Sequence, residues 1–311
     1  MIQLQKKILA LTAGHVTLDC YSGIYTPGGS AFYSSLIFDH LNLKTALVTS
    51  FGDDFSFTDR LDGVTLFNKQ SEHTTPFEHT YPRNAPRLML VTNQAHRVEV
   101  LKNDNKFLNP DILFLAPVAG EINLNNWLKN INGGIKGAGL QGFLKKPGSL
   151  YLPSANEKVH IDKPAILAKR DIEDELHSLS KLDVIFLSVE DAAVHGDKFL
   201  IEKLKERVPV VVVTNGEMGA KVFVQGGDSD SFGVGVREMN PVDPTGAGDT
   251  FASVFLYSYA MGHSLEQAAR QASYASSVVI MYKGADGIKK IDEAFHRFDE
   301  IPIKKITTMD F

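Results

Sequence analysis

The stretch Asn240-Pro-Val-Asp-Pro-Thr-Gly-Ala-Gly-Asp-Thr-Phe251 sets two carboxylates, Asp243 and Asp249, around a Gly-Ala-Gly turn and then enters an apolar segment. Pro241 and Pro244 exclude a helix upstream, because each lacks an N–H and fixes φ. Downstream, Phe251, Val254, Phe255 and the Ser258-Tyr259 pair recur at helical spacing, so a helix is expected to start at the glycines. The N–H groups of Gly246, Ala247, Gly248 and Asp249 would then point together, with the positive end of the helix dipole behind them. Such a turn is an anion hole suited to a phosphoryl group in transfer, and Asp249 at its edge is placed to accept a proton from an attacking hydroxyl. Gly248 in that turn is expected to hold a backbone angle that only glycine tolerates. The plainer alternative is that Asp249 caps the helix and the glycines merely turn the chain.

The rest of the chain decides what surrounds this turn. Its 311 residues suffice for one large α/β domain or two ordinary ones. Short apolar runs at 8–11, 46–49, 112–115, 184–187 and 208–213 alternate with helical stretches. That alternation argues for a mainly parallel central sheet with helices on both faces. Between about 63 and 100 the texture changes: HTTPFEHTY (73–81) and RLMLVT (87–92) are rich in Thr, Phe and Tyr, with Pro82, Asn84 and Pro86 between them. This reads as an exposed β-hairpin and a candidate lid. No repeat, low-complexity tract or Pro-rich linker marks a boundary, so residues 1–311 are read as a single domain.

Composition narrows the function. Thirty-two basic against thirty-seven acidic residues give a net charge of −5, which argues against a nucleic-acid groove or a polybasic membrane anchor. One cysteine, Cys20, excludes an internal disulfide and a multi-cysteine zinc site, and is expected to be a buried free thiol in a reducing cytoplasm. The apolar run near the N-terminus is too short for a signal peptide and no small-residue cleavage site follows it. The longest uncharged run, 250–265, falls short of the ~20 apolar residues that span a bilayer. A soluble, cytoplasmic protein is expected.

Other patterns are weaker. GAGLQG at 137–142 satisfies G-x-G-x-x-G, but FLKKPG follows where a dinucleotide fold needs a helix, so 140–144 is read as a strand end with its loop. No G-x-x-x-x-G-K-[ST] occurs. His15, His73, His79 and His195 lack zinc-type spacing and are read as ordinary histidines. Ser264 with Gln267 forms a capping box, and Ala268, Ala269, Ala272 and Ala275 give the helix that follows a thin face.

The segment DPTGAGDTF (243–251) resembles the D-T-x-G-A-G-D-x-F signature of the ribokinase or PfkB-type carbohydrate kinases. Further pieces match that family in order: GHVTLD (14–19), PGGSAFYSS (27–35), TSFGDDF (49–55), VTNGEMGAKVF (213–223) and YKGADG (282–287). The resemblance spans about residues 8 to 290. It implies a ribokinase-like α/β fold whose small β lid comes from segments near 16–27 and 63–100. It makes Asp249 the catalytic base, Gly246, Ala247 and Gly248 the anion hole, and Asp19, Gly28 and Gly29 the substrate floor. An acid can accept two sugar hydroxyls, and a Gly-Gly turn lets backbone amides reach a third. Thr214, Gly216 and Gly219 would contact nucleotide phosphates, and Gly284 would border the adenine.

ATP and Mg2+ are the cofactors the resemblance implies, with K+ near Asp243 and Thr245 as a further candidate, unless Asp243 only organises the turn. Two departures limit the transfer. Ser188-Val-Glu-Asp191 stands where many members have N-x-x-E, leaving Glu190 and Asp191 as the acids for Mg2+ through water. Tyr33 stands where a substrate-contacting Asn is usual, bringing a ring and one hydroxyl. GHVTLD, PGGSAFYSS, APVAGEI and LQGFLKK also resemble a myo-inositol kinase-like branch. The reading is an ATP-dependent kinase of a sugar or polyol, with a cyclitol such as myo-inositol as the first acceptor to try. A nucleoside kinase of the same fold, stacking a base on Phe77 and Tyr81, and a catalytically silent sugar-binding homologue stay open. The partner expected is a small sugar or polyol, with neither nucleic acid nor membrane, and a homodimer through the lid is the association to test.

Overall fold

All five apolar runs become strands of one sheet in the computed structural model, which describes residues 7–21, 23–80, 88–101, 107–147, 165–169, 172–193, 197–226 and 230–305. In chain order the strands are β1 (Leu9–Ala13), β2 (Thr17–Tyr21), β3 (Ile24–Gly28), β4 (Lys44–Phe51), β5 (Thr65–Gln70), β6 (Thr75–Thr80), β7 (Leu88–Val91) and β8 (Ile112–Leu115). They continue as β9 (Ile135–Gly139), β10 (Lys145–Pro147), β11 (Ala165–Lys169), β12 (Val184–Ser188), β13 (Val210–Thr214), β14 (Ala220–Val224), β15 (Phe232–Val234) and β16 (Ile303–Lys305).

The ten-stranded main sheet has the order β16-β15-β14-β13-β12-β9-β8-β1-β4-β5. From β13 to β5 every pairing is parallel, while β14, β15 and β16 extend one edge antiparallel. Strands β8 and β13 are apolar along nearly their whole length because both faces of the sheet are covered. In β13, Val210 and Val212 enter one core and Val211 and Val213 the other; Ile112 and Phe114 against Leu113 and Leu115 divide β8 in the same way. A side chain points to alternate faces along a strand, so a sheet buried on both sides must read as a continuous apolar run. The first core holds the helices Ser30–His40, Ala247–Ala260 and Leu265–Val279. Ser264 Oγ accepts from the Gln267 N–H at 3.2 Å, and Ala268, Ala269, Ala272 and Ala275 are fully buried, so this helix lies close to its neighbours.

A smaller six-stranded sheet has the order β10-β11-β7-β6-β2-β3. The 63–100 stretch divides between the two sheets: β5 pairs parallel with β4 at the main sheet's edge, and β6 and β7 form an antiparallel hairpin of the small sheet. Tyr81, Pro82, Asn84, Pro86 and His195 lie outside the described residues. Along β2, Thr17, Asp19 and Tyr21 share a face, and the register Thr17↔Thr75 and Asp19↔Phe77 brings Phe77 and His79 of β6 onto it.

Two local expectations need correction. Strand β9 ends at Gly139, and Gln141–Leu144 is a single helical turn rather than strand, because Phe143 and Leu144 turn inward and are fully buried. The glycines there serve packing: a Cβ on Gly137 would stand 2.7 Å from a Leu256 methyl, and one on Gly142 would stand 2.5 Å from the Pro117 carbonyl carbon. Cys20 is half-buried rather than buried. No helix among the described residues is long and apolar enough to cross a membrane.

Candidate active site

Two prolines and one left-handed glycine shape the quoted turn. Gly246 caps the helix Ala247–Ala260 at φ 80° and ψ 0°. A Cβ there would also stand 2.7 Å from the Tyr33 ring, so glycine is required both by the angle and by the neighbour. Gly248 differs from its expectation. Its φ is not positive, and a Cβ on it would meet nothing within 4 Å, so what matters at Gly248 is the space it leaves open. The Ala247 N–H turns back toward the Pro244 carbonyl at 3.3 Å, and Thr250 donates its N–H to the Gly246 carbonyl at 2.8 Å. Among the described residues the N–H groups of Gly248 and Asp249 make no backbone hydrogen bond, as is usual for the first turn of a helix.

This turn stands between two cavities. One, of about 340 Å³, lies under the small sheet and is lined by Thr17, Asp19, Tyr21, Ser30, His79 and Asp249 among others. The second, of about 1030 Å³, has apolar walls from Met218, Val236, Met239, Phe251 and Ile280. Thr214, Pro244, Ala247 and Gly248 line both. Asp249 belongs to the first cavity, and Gly216 and Gly219 to the second.

Asp249 keeps part of its surface toward the cavity yet sits deep in the cleft. Burial raises its pKa to about 6; a hydrogen bond from the Ser30 side chain opposes the rise and the Asp19 charge adds to it. Asp19 is buried, and its Oδ1 accepts from Thr17 Oγ1 at 2.8 Å. Gly28 does not line the cavity. A Cβ on it would collide with the Asp19 carboxylate, so it makes room for the acid, while Gly29, at φ 91°, lines the cavity and caps the helix Ser30–His40. Tyr33 lies under the turn, and burial, followed by the charges of Asp19, Asp249 and Asp243, pushes its phenol far up, so it stays neutral.

The remaining predicted residues divide. Thr214 ends β13 at the mouth of both cavities. Gly284 lines neither cavity; its N–H donates to Asp243 Oδ2 at 2.9 Å. Asp243 Oδ1 accepts from the Thr245 N–H at 2.9 Å. Burial raises Asp243, but the hydrogen bonds from Thr245 and Gly284 outweigh it and hold the carboxyl below its usual range. Each of its oxygens thus takes part in organising the turn. Thr245 Oγ1 meets the Tyr21 hydroxyl at 3.3 Å, joining the turn to the small sheet. Asp191 is buried and bound by Lys145 Nζ at 2.6 Å, with the Ser188 N–H on its other oxygen at 3.4 Å. Glu190 is exposed and lines the first cavity, without such a partner among the described residues.

Sequence reading missed Ser30, Thr17, Tyr21 and His79. The alternation in β2 was a usable signal, since Thr17 and Tyr21 must share the face of Asp19; Ser30 directly follows the Gly-Gly pair. Of the histidines, His15 is ordinary, with Nε2 at 2.8 Å from the His96 carbonyl and Nδ1 at 3.0 Å from Thr75 Oγ1. His79 is not, because its ring walls the cavity beside Asp19.

Comparison with known proteins bears on the fold. The family described as pfkB family carbohydrate kinase matches residues 160–291. A cytidine kinase of Thermococcus kodakarensis is 24% identical, covering 83% of this chain and 90% of that protein. A 5-dehydro-2-deoxygluconokinase of Shouchella clausii is 32% identical, but over only 30% of this chain and 28% of that protein. Among solved structures, a pyrophosphate-dependent kinase in the ribokinase family, complexed with a pyrophosphate analog and myo-inositol, superposes with a TM-score of 0.70 at 20% identity, covering 90% of this chain and 99% of that one. The Methanocaldococcus jannaschii nucleoside kinase superposes with a TM-score of 0.69 at 19% identity, covering 94% and 99%.

Proposed function

We propose that the chain is a kinase of the PfkB/ribokinase type that transfers the γ-phosphoryl group of ATP to a hydroxyl of a single-ring polyol, a cyclitol such as myo-inositol being the first candidate. The observation that carries this is the position of the Gly246–Asp249 turn: Gly248 opens onto both cavities while Asp249 faces only the smaller. A donor in the larger cavity and an acceptor in the smaller would meet at the free N–H groups of Gly248 and Asp249. Asp249 accepts the proton of the attacking hydroxyl, and the two N–H groups with the helix behind them stabilise the charge on the moving phosphoryl group. The small sheet closes over the acceptor and keeps water from taking its place.

The donor reading rests on the larger cavity. Its apolar walls suit a nucleoside, whereas pyrophosphate has no apolar surface to bury there. The acceptor reading rests on the smaller one. Its about 340 Å³ is near the low end of ligand pockets, roughly 300–1,000 Å³. Thr17, Asp19, Ser30 and His79 make its wall rich in groups that bind hydroxyls. A second reading, nucleoside phosphorylation, is favoured by the similarity to a cytidine kinase and by Phe77, which is buried in the same wall; Tyr81 lies outside the described residues.

Mg2+ fits the donor set in a limited way. No group of three or more His, Cys, Asp or Glu side chains able to hold a metal occurs among the described residues, and Mg2+ ordinarily keeps several waters and takes phosphate oxygens with one or two carboxylates. Glu190 would be its protein anchor, and the ion would supply neutralisation of phosphate charge. Asp191 is paired with Lys145, and Asp243 accepts from Thr245 and Gly284, so Glu190 is the acid of the three with the fewest partners among the described residues.

Purified protein is to be offered Mg-ATP or pyrophosphate together with myo-inositol, ribose, fructose, fructose 6-phosphate, 2-keto-3-deoxygluconate or adenosine, and donor cleavage followed. The proposal expects ATP-dependent turnover that is highest with myo-inositol. A kcat/KM for ribose or adenosine exceeding that for myo-inositol by about tenfold, or about 1.4 kcal/mol, would overturn the cyclitol acceptor. Turnover with pyrophosphate alone would overturn the donor.

A further inference from the structure

The His79 side chain is only 7% exposed, yet neither Nδ1 nor Nε2 has a hydrogen-bond partner among the described residues. Buried polar groups in native proteins are nearly always paired, so an imidazole with two orphaned nitrogens on a cavity wall lacks a partner that a ligand can supply. The ring is not loose. It stacks on Tyr21 at 5.0 Å and 13°, and on Phe77 at 6.3 Å and 23°, forming a ladder across β2 and β6.

Its nearest charged neighbour explains what the partner must be. Asp19 Oδ1 is already taken by Thr17 Oγ1, which leaves Oδ2 for a ligand. Oδ2 lies 3.7 Å from His79 Nε2, too far for a hydrogen bond between them. An acceptor-only oxygen therefore stands beside an imidazole nitrogen that can carry a proton. A hydroxyl is both donor and acceptor, so one alcohol can donate to Asp19 Oδ2 and accept from a protonated His79 Nε2. An ether, a carbonyl or a deoxygenated carbon can satisfy only part of this pair or none of it.

We propose, building on the kinase reading above, that His79 is a specificity-determining residue which, together with Asp19, recognises one non-reacting hydroxyl of a polyol acceptor. The selected substrate class is a polyhydroxylated ring bearing that alcohol, and the site discriminates against its deoxy analogue. Preorganisation by the Tyr21 and Phe77 stack makes the pairing selective.

The test compares wild type with His79→Phe, which keeps the stacked ring and removes both nitrogens, and His79→Gln, which restores a polar group. Binding of myo-inositol, its monodeoxy analogues, ribose and adenosine is measured by titration calorimetry, and ADP release with Mg-ATP in parallel. In His79→Phe the best acceptor should bind about tenfold or more weaker, about 1.4 kcal/mol. Its kcat at saturation should stay within about threefold, the hallmark of lost ground-state binding. At least one deoxy analogue should bind wild type weakly and His79→Phe no worse, and His79→Gln should recover part of the affinity. Thermal stability of His79→Phe should match or exceed wild type, since no protein hydrogen bond is removed. Unchanged acceptor affinity in a folded His79→Phe protein overturns the assignment and leaves the kinase reading standing. No acceptor-dependent cleavage of either ATP or pyrophosphate by wild type overturns the kinase reading and this assignment with it.

Discussion

Tyr33 lies directly beneath Gly246, close enough that a Cβ on the glycine would stand 2.7 Å from the ring. Tyr33 is thus part of the floor on which the Gly246–Asp249 turn rests, as well as part of the lining of the smaller cavity. At 2% exposure the ring has no room to retreat.

Gly246→Ala should therefore carry two penalties, a left-handed backbone angle and a clash with Tyr33. A destabilisation of about 1–3 kcal/mol is expected, with kcat reduced as the turn shifts. Urea unfolding followed by a turnover assay checks both; a variant with wild-type midpoint and rate would mean that the turn does not depend on this contact.

Gly248→Val should behave in the opposite way. The backbone there is ordinary and the added side chain meets open space, so stability should change by no more than about 0.5 kcal/mol, helix propensity if anything favouring valine. The isopropyl group would stand where both cavities meet, and turnover should be lost. Thermal melts and ADP release on the same sample give the comparison, and normal turnover would show that phosphoryl transfer does not pass this residue.

What could be read from the chain alone follows from how each feature is encoded. Strand β13 was legible because Val210 to Val213 are buried on both faces, and such a run allows little else. Strand β9 was not, because Ile135-Lys-Gly-Ala-Gly139 substitutes glycine for bulk where Leu256 presses on the sheet. The turn was legible because proline, glycine and an acid act locally. Ser30 follows the Gly-Gly pair, but its bond to Asp249, like the place of His79 beside Asp19, arises only when the helix Ser30–His40 and strand β6 are brought against residues distant in sequence. Asp191 shows the converse: its sequence position says nothing of Lys145, and only the fold brings the two into an ion pair.

That buried pair separates two neighbouring acids by experiment. Lys145 and Asp191 expose only 10% and 12% of their side chains, so Lys145→Met should strand a buried carboxylate and cost about 3–5 kcal/mol. Glu190→Gln, on an exposed side chain, should leave stability within about 0.5 kcal/mol while raising the Mg2+ concentration needed for half-maximal rate. The measurements are denaturant midpoints and Mg2+ titrations of initial rate. Equal Mg2+ dependence of Glu190→Gln and wild type would remove Glu190 from the metal's surroundings.

Asp249 should make the same residue a cost to the fold and a requirement for the reaction. Burial lifts its folded pKa to about 6, above the roughly 3.9 of an unfolded aspartate. Between those values the folded protein holds the extra proton, so stability falls as pH rises through the window, and above it the ionised carboxylate leaves a constant penalty. Asp249→Asn carries no such charge. Its melting temperature should exceed that of wild type at about pH 8, and the difference should shrink as pH falls toward about 4. Activity runs the other way: wild-type kcat/KM should climb with pH through about 6 as the base ionises, while Asp249→Asn loses roughly 10²-fold or more. Ser30 supplies the hydrogen bond that favours the ionised form, so Ser30→Ala should move the acid limb of the rate profile to higher pH without abolishing turnover. Melting curves and rate profiles of the three proteins across the same buffers decide the matter. An Asp249→Asn protein that melts below wild type at about pH 8 would contradict the desolvated carboxylate, and an acid limb unmoved by Ser30→Ala would mean that another group sets the profile.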